Sequence, residues 1–263
     1  MYTKPDLEAK VPIEAESVID HYKIWLTPEL QLTSDILKHV NLKDQFHQEE
    51  FKKVVDKLKW IGNPTRKDGR IADHFPPIAH LTGYSIRKPK KEEDEQPTRE
   101  VKFKNQFSRD ATKWKLKEIE YLLLPAWKLA GKEKDGEFPK ELPKGDHYLC
   151  YAAEGEAITR ETTLQDQFDS IAGREETVTK FIPRFFGVPV QKNASKFAFK
   201  DAHLAIYEIE PAKKIDPIQI STNDQFARWR DMAITKPLYL AVPTDKITWR
   251  VPRHHGTSTG VEG

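Results

Sequence analysis

Four histidines stand at matching places in the chain, and imidazole is the side chain best suited to ligate a borderline metal or to move a proton near neutrality. They are His21, His80, His147 and His203, each beginning a short apolar and aromatic segment: DHYKIW from Asp20, AHLTGY from Ala79, DHYLCY from Asp146 and AHLAIY from Ala202. Brought together, four neutral imidazoles would form a metal site of the zinc type. Kept in four separate strand-like segments, each would instead make one structural hydrogen bond to a loop carrying a nearby glutamine. The second arrangement is the expectation, so the four are retained only as metal candidates and no cofactor is expected.

Other reactive groups are few. Cys150 is the single cysteine; it could act as a nucleophile, but sister segments place Ile24 and Ile206 at the same position, which points to a buried apolar role. No G-x-S-x-G, H-E-x-x-H, G-x-G-x-x-G or Walker loop occurs, so no catalytic residue is nominated. His254-His255 sits in a Gly, Thr and Ser tail that reads as a flexible end or a peptide docked on a partner. Asn193-Ala194-Ser195 matches a glycosylation acceptor, which matters only in a secretory context.

The elements that position these residues repeat four times. After each histidine segment comes Asp/Asn-Gln-Phe: Asp44-Gln45-Phe46, Asn105-Gln106-Phe107, Asp166-Gln167-Phe168 and Asp224-Gln225-Phe226. An apolar stretch ending in Pro-x-x-Lys follows, as WIGNPTRK to Lys67, YLLLPAWK to Lys128, FFGVPVQK to Lys192 and YLAVPTDK to Lys246. Asp and Asn bond the backbone two residues on and suit a turn, and the Phe then plugs the core, so Phe46, Phe107, Phe168 and Phe226 are all expected to be buried. An Asn at one of the four sites rules against a shared general base. The four lysines read as solvated strand ends.

Alternation such as Val40, Leu42, Asp44 and Val101, Phe103, Asn105 marks half-buried strands. Phe51, Val54, Val55 and Leu58 have helical spacing instead, but the repeat alignment outweighs it and leaves at most a helical turn near His47 to Lys53. Three strands per repeat predict an all-β protein: four three-stranded repeats forming two pseudo-twofold-related β-barrel or sandwich domains, with a four-bladed propeller as the alternative. The pairwise scheme rests on the alternation of Asp-His-Tyr in repeats one and three with Ala-His-Leu in repeats two and four. Domains are placed at 12–129 and 146–250, with a linker at 130–145 rich in Lys, Gly and Pro and a tail at 251–263. The mixed-charge insertion from Arg87 to Glu100 reads as a solvated loop.

The 263 residues are 38% hydrophobic, 32% charged and 10% aromatic, a globular composition. Residues 1–130 carry 24 Lys and Arg against 21 Asp and Glu, and the remainder 19 against 20. Neither half has the basic excess of a nucleic-acid binder. No transmembrane segment and no signal peptide is read, which makes the cytoplasm the default compartment.

The order His, aromatic, Asp/Asn-Gln-Phe, then Pro-x-x-Lys resembles the repeat of an uncharacterised bacterial and archaeal domain family, whose members often carry it in tandem on secreted proteins. The resemblance spans Asp20 to Lys246. It implies an extracytoplasmic setting and a cysteine pair, but here Gly187 occupies the position where the partner of Cys150 would stand, and the equivalents of Cys150 are Ile24, Gly83 and Ile206. That weakens the inference to an oxidising compartment, and the resemblance implies no catalytic activity.

Two functions fit. One is a non-enzymatic binding or scaffolding subunit, an accessory part of a larger assembly with a protein partner. It would use what differs among the repeats: the arm Met1 to Glu16, the Arg87 to Glu100 insertion, the linker and the tail. The alternative is a metal- or small-molecule-binding enzyme with its site at the interface of the two halves.

Overall fold

The computed structural model describes residues 15, 18–33, 38–69, 80–87 and 97–252. Most of the arm, residues 88–96 of the insertion, and the tail from 253, with His254 and His255, lie outside the described residues.

Each repeat follows one plan: a first strand opened by the histidine segment, a short middle strand ending at Asp/Asn-Gln-Phe, and a long returning strand. Repeat one supplies β1 (Tyr22–Gln31), β2 (Lys38–Lys43), β3 (Phe51–Pro64) and the two-residue β4 (Arg66–Lys67). Repeat two supplies β5 (His80–Arg87), β6 (Arg99–Asn105) and β7 (Ser108–Ala130). Repeat three supplies β8 (His147–Glu154), β9 (Ile158–Gln165), a short helix α1 (Gln167–Ile171) and β10 (Glu176–Lys192). Repeat four supplies β11 (Ala202–Glu210), β12 (Ile218–Asn223), β13 (Arg228–Ile234) and β14 (Pro237–Arg250). The long strand is interrupted at Thr65 in the first repeat and, in the fourth, ahead of Pro237, which lacks the N–H that a continuous ladder needs.

The first and long strands pair antiparallel around a closed ring in the order β1, β3, β5, β7, β8, β10, β11, β14 and back to β1. The protein is thus all-β, built of four repeats whose halves are related by a pseudo-twofold. Each half gives the ring an arc of four strands, and the arcs meet at the β7–β8 and β14–β1 pairs. Pairing runs laterally around one ring rather than within four separate blades, which sets the propeller aside.

The middle strands lie outside the ring. Each forms a hairpin with the start of its own long strand and also pairs with chain just beyond or at the end of the long strand two repeats away. So β2 pairs with β10, β6 with β14, β9 with β4 and β12 with β7. Both faces of the ring strands are therefore buried. Inward-facing residues alternate with outward-facing ones, as in β1, where Tyr22 and Ile24 join the inner cluster and Trp25 the outer one.

The interior is packed solid. Trp60, Tyr121, Phe185 and Tyr239, the first residue of each Pro-x-x-Lys stretch, meet across the ring with centroids 3.9–5.6 Å apart. Beneath them the repeats alternate in size. Where Tyr22 and Tyr148 enter, the long strands carry Gly62 and Gly187, and a Cβ on either glycine would lie 3.6–3.7 Å from that tyrosine's Cβ and closer still to Leu81 or Leu204. In the repeats of Leu81 and Leu204 the long strands carry Leu123 and Ala241 instead, which stand opposite Tyr148 and Tyr22 of the neighbouring repeats. The alternation read in the sequence is thus the way four repeats share one narrow interior.

The helical spacing at Phe51 to Leu58 lies within β3, and of residues 47–50 only 48 and 49 bend, so no helical turn forms there. The helix falls instead in repeat three, where Asp166 caps the backbone N–H groups of Phe168 and Asp169 and the Asp169 carboxylate returns to the Asp166 N–H.

The interior's tightness is testable at Gly83, whose added Cβ would fall 2.9 Å from the Cβ and Cε3 of Trp60 and 3.0 Å from Leu123. Gly83→Ala is expected to destabilise the fold by about 1–3 kcal/mol. Urea denaturation reads this directly; an unchanged midpoint would show that the interior has slack.

Candidate functional site

The repeated residues converge on one another. At every Asp/Asn-Gln-Phe, the first side chain's Oδ1 accepts the backbone N–H of the Phe two residues on, at 2.9 Å for Asp44, 3.0 Å for Asn105, 2.9 Å for Asp166 and 2.7 Å for Asp224. Its other atom is met by the aromatic residue of the histidine segment two repeats away. Tyr151 Oη donates to Asp44 at 2.5 Å, Trp25 Nε1 to Asp166 at 2.6 Å and Tyr84 Oη to Asp224 at 2.7 Å. At Asn105 the polarity reverses, because the amide Nδ2 donates to Tyr207 Oη at 3.1 Å. The Phe of each tripeptide packs edge-on to the same aromatic, with centroids 5.2–5.4 Å apart. Phe46, Phe168 and Phe226 are buried; Phe107 is only half-buried, lying under the Lys67 and Arg160 side chains.

The glutamine serves the adjoining repeat. Gln45 bonds both His203 Nε2 and Lys246 Nζ, and Gln167 accepts from Lys128 Nζ. Gln106 neighbours His21 and Gln225 neighbours His147, more loosely, since Nε2 of each of those histidines has no partner at hydrogen-bonding geometry. The lysine of each Pro-x-x-Lys sits over the Phe of the next tripeptide, from 4.3 Å at Lys128 over Phe168 to 6.0 Å at Lys246 over Phe46. These lysines therefore do more than end strands in solvent. Together the contacts close a cycle, repeat one to two, two to three, three to four and four to one.

The fold leaves His21, His80, His147 and His203 apart, each beside its own lysine. No cluster of three or more His, Cys, Asp or Glu residues able to hold a metal occurs among the described residues. Burial, reinforced by the adjacent lysine, lowers the imidazole pKa to about 3 at His21 and His203 and about 4 at His147, and well below its ordinary value at His80. Cys150 is buried in the inner cluster, and that burial raises its thiol well above the ordinary range, so it is not a thiolate nucleophile. Asn193 sits in the turn after β10, its Oδ1 accepting the Asn41 N–H at 3.0 Å.

Two groupings were not legible in advance. In the first, the buried Lys23 ammonium contacts the Asp169 carboxylate at 2.7 Å and also Glu176, while Arg174 reaches Asp169 at 3.2 Å and Glu176 at 3.7 Å. Two cations meet two anions, so the group is balanced and ties β1 to α1 and β10. The one signal was a charged residue at a position held elsewhere by Thr82, Leu149 and Ala205.

The second is a cavity of about 710 Å³ at the ring mouth nearest Tyr22 and Tyr148. Both halves line it, with Leu81, Pro125 and Trp127 from one and Asp146, Tyr148 and Phe199 from the other, and linker residues Pro139 to Gly145 form its wall. Trp127 fixes that wall by donating its indole N–H to the Glu141 carbonyl at 2.6 Å, and Phe138 is buried beneath Arg228 and Arg230. Asp146 is committed to the fold, accepting the N–H groups of Ala198 and Phe199 at 2.7 and 2.6 Å. Burial holds the Tyr22 and Tyr148 phenols protonated at neutral pH. The residues recognised as a linker in sequence are thus cavity wall; Leu142 among lysines and prolines was the available signal.

Comparison with known families places a repeat of unknown function, DUF7450, on residues 80–243. That stretch covers repeats two and three and nearly all of repeat four; the first repeat carries the same landmarks outside it. No curated protein and no solved structure matches the chain. No helix among the described residues is long and apolar enough to cross a membrane.

The cycle makes two predictions. Phe168→Ala should cost about 3–5 kcal/mol and Phe107→Ala distinctly less, since only the first is fully buried; equal midpoints in chemical denaturation would contradict this. The second concerns acid. The unfolded chain protonates its histidines near pH 6.5, whereas His147, His21 and His203 in the fold resist until about 4 or 3. Their contribution to stability is then complete above pH 6.5 and is lost as the pH falls towards 4, at about 1.4 kcal/mol per pH unit for each imidazole. Denaturation midpoints at pH 7.5, 6 and 5 should fall in that order, with a shallower fall in His203→Gln; a flat profile would refute it.

Proposed function

Because the chain belongs to the DUF7450 repeat family, whose shared residues here are spent on holding the repeats to one another, we propose that it is a non-enzymatic binding subunit. Its recognition surface is the linker-walled mouth between the two halves. The observation that carries this reading is the cavity there: beside the recurring Tyr22, Leu81, Pro125 and Tyr148 it is walled by residues that do not recur among the repeats, including Trp127, Leu142 and Phe199, and two of these expose about 40% of their surface, 40% for Leu142 and 41% for Phe199. The enzyme alternative would place its site in the same junction. Against it stands the state of the cavity's enclosed titratable groups, an aspartate bonded to two backbone N–H groups and two phenols that stay protonated, which leaves only Lys140, Glu141 and Lys144 exposed at the rim. A protein partner in a larger assembly remains part of the proposal.

The test is recovery of the tagged full chain from its native source, with light scattering of the eluted species. The wild type should elute with a stoichiometric partner or bound small molecule, and Leu142→Asp should lose it while keeping the wild-type thermal midpoint. Equal recovery by both, or turnover of a substrate by the purified chain, would overturn the reading.

A further inference from the structure

Resting on the reading of this mouth as a recognition surface, we propose that its cavity takes a single small amphiphile: an apolar ring system or chain carrying one anionic group at the rim. The argument begins with size. A cavity of about 710 Å³ falls within the range of sites that enclose a small organic molecule. Below it the barrel is closed by Tyr22, Tyr148, Leu81 and Leu204, so the occupant lies across the mouth and does not enter the ring.

Next comes the chemistry of the wall. Trp127, Tyr22, Tyr148, Leu81 and Phe199 offer flat and branched apolar faces, and Pro125, Pro139 and Pro143 stiffen the surround. Such a wall is already ordered before a ligand arrives, which lowers the entropic cost of binding. Two of its polar groups are taken internally, the Asp146 carboxylate by two backbone donors and the Trp127 indole N–H by the Glu141 carbonyl. An apolar body fits there without stranding them.

The rim supplies the sign of the charge. Lys140 and Lys144 are exposed on the linker wall at either side of Leu142, and neither has an ion-pair partner among the described residues. Glu141 is the single exposed acid between them, and Asp146 lies buried behind. Two free ammonium groups beside an apolar wall select a carboxylate, sulfonate or phosphate on an apolar ligand over its neutral counterpart. Lysine stems also pack along apolar surface while the head stays in water, which suits an anion held at the edge.

A matched pair of probes tests this on the full chain: anionic 1-anilinonaphthalene-8-sulfonate and neutral N-phenyl-1-naphthylamine, followed by probe fluorescence and tryptophan quenching. The anionic probe should bind saturably at one equivalent and about tenfold more tightly than the neutral one, a gap of about 1.4 kcal/mol. Lys140→Gln/Lys144→Gln should close the gap by weakening only the anionic probe, and Leu142→Asp should weaken both. Equal affinities in the wild type, no saturable binding, or binding indifferent to Leu142→Asp would overturn the proposal. If the probes fail while Leu142→Asp still costs the native association, the ligand chemistry is wrong and the recognition surface stands.

Discussion

A carboxylate that leaves water must find donors or lose its charge, and the fold turns on satisfying that demand at the start of each Asp/Asn-Gln-Phe. Asp44, Asp166 and Asp224 are all buried. One oxygen of each is used locally, by the backbone N–H two residues on, and this shapes the turn. The other can be met only by a side chain two repeats away, so the turn is stable only when the ring has closed. Further donors complete the shell: Asn63 at Asp166, Thr82 at Asp224 and His47 at Asp44. Burial still pushes the carboxyls of Asp166 and Asp224 above their ordinary range, which measures how costly the arrangement would be without those donors.

The second constraint is volume. A ring of eight strands has a narrow interior, and four identical repeats would crowd identical residues at its axis. The chain resolves this by giving repeats one and three Tyr with Gly and repeats two and four Leu with Leu or Ala, so that Gly62 and Gly187 stand opposite Leu81 and Leu204, and Leu123 and Ala241 opposite Tyr148 and Tyr22. Fourfold geometry is thereby reduced to twofold composition. The Asp preceding His21 and His147 belongs to the same alternation: Asp146 gathers the chain entering β11, and a buried tyrosine lies two residues after each.

Much of this was legible in the sequence because repetition multiplies weak signals. Asp-Gln-Phe once is noise, but four times at matching spacing it fixes the turn, the all-β class and the pairing of repeats. What stayed hidden was the partner of each group. Nothing local to Asp44 indicates that its second donor is Tyr151, and nothing local to Gln45 indicates His203 or Lys246, because those contacts join residues more than 100 positions apart. The interlocking of the halves was hidden for the same reason. Helical spacing at Phe51 to Leu58 misled because a strand buried on both faces loses its simple alternation. The cavity wall went unseen because lysine and proline in the linker read as solvated chain.

Shared residues that satisfy one another leave function to the residues that are not shared, so the account stands or falls on the cross-repeat bond to each buried carboxylate. A double-mutant cycle on Tyr151→Phe and Asp44→Ala, read by urea denaturation, measures that bond most directly. The account predicts a coupling of about 1.5–3 kcal/mol, the range for a hydrogen bond to a charged group. Costs that simply add to within about 0.5 kcal/mol would contradict it.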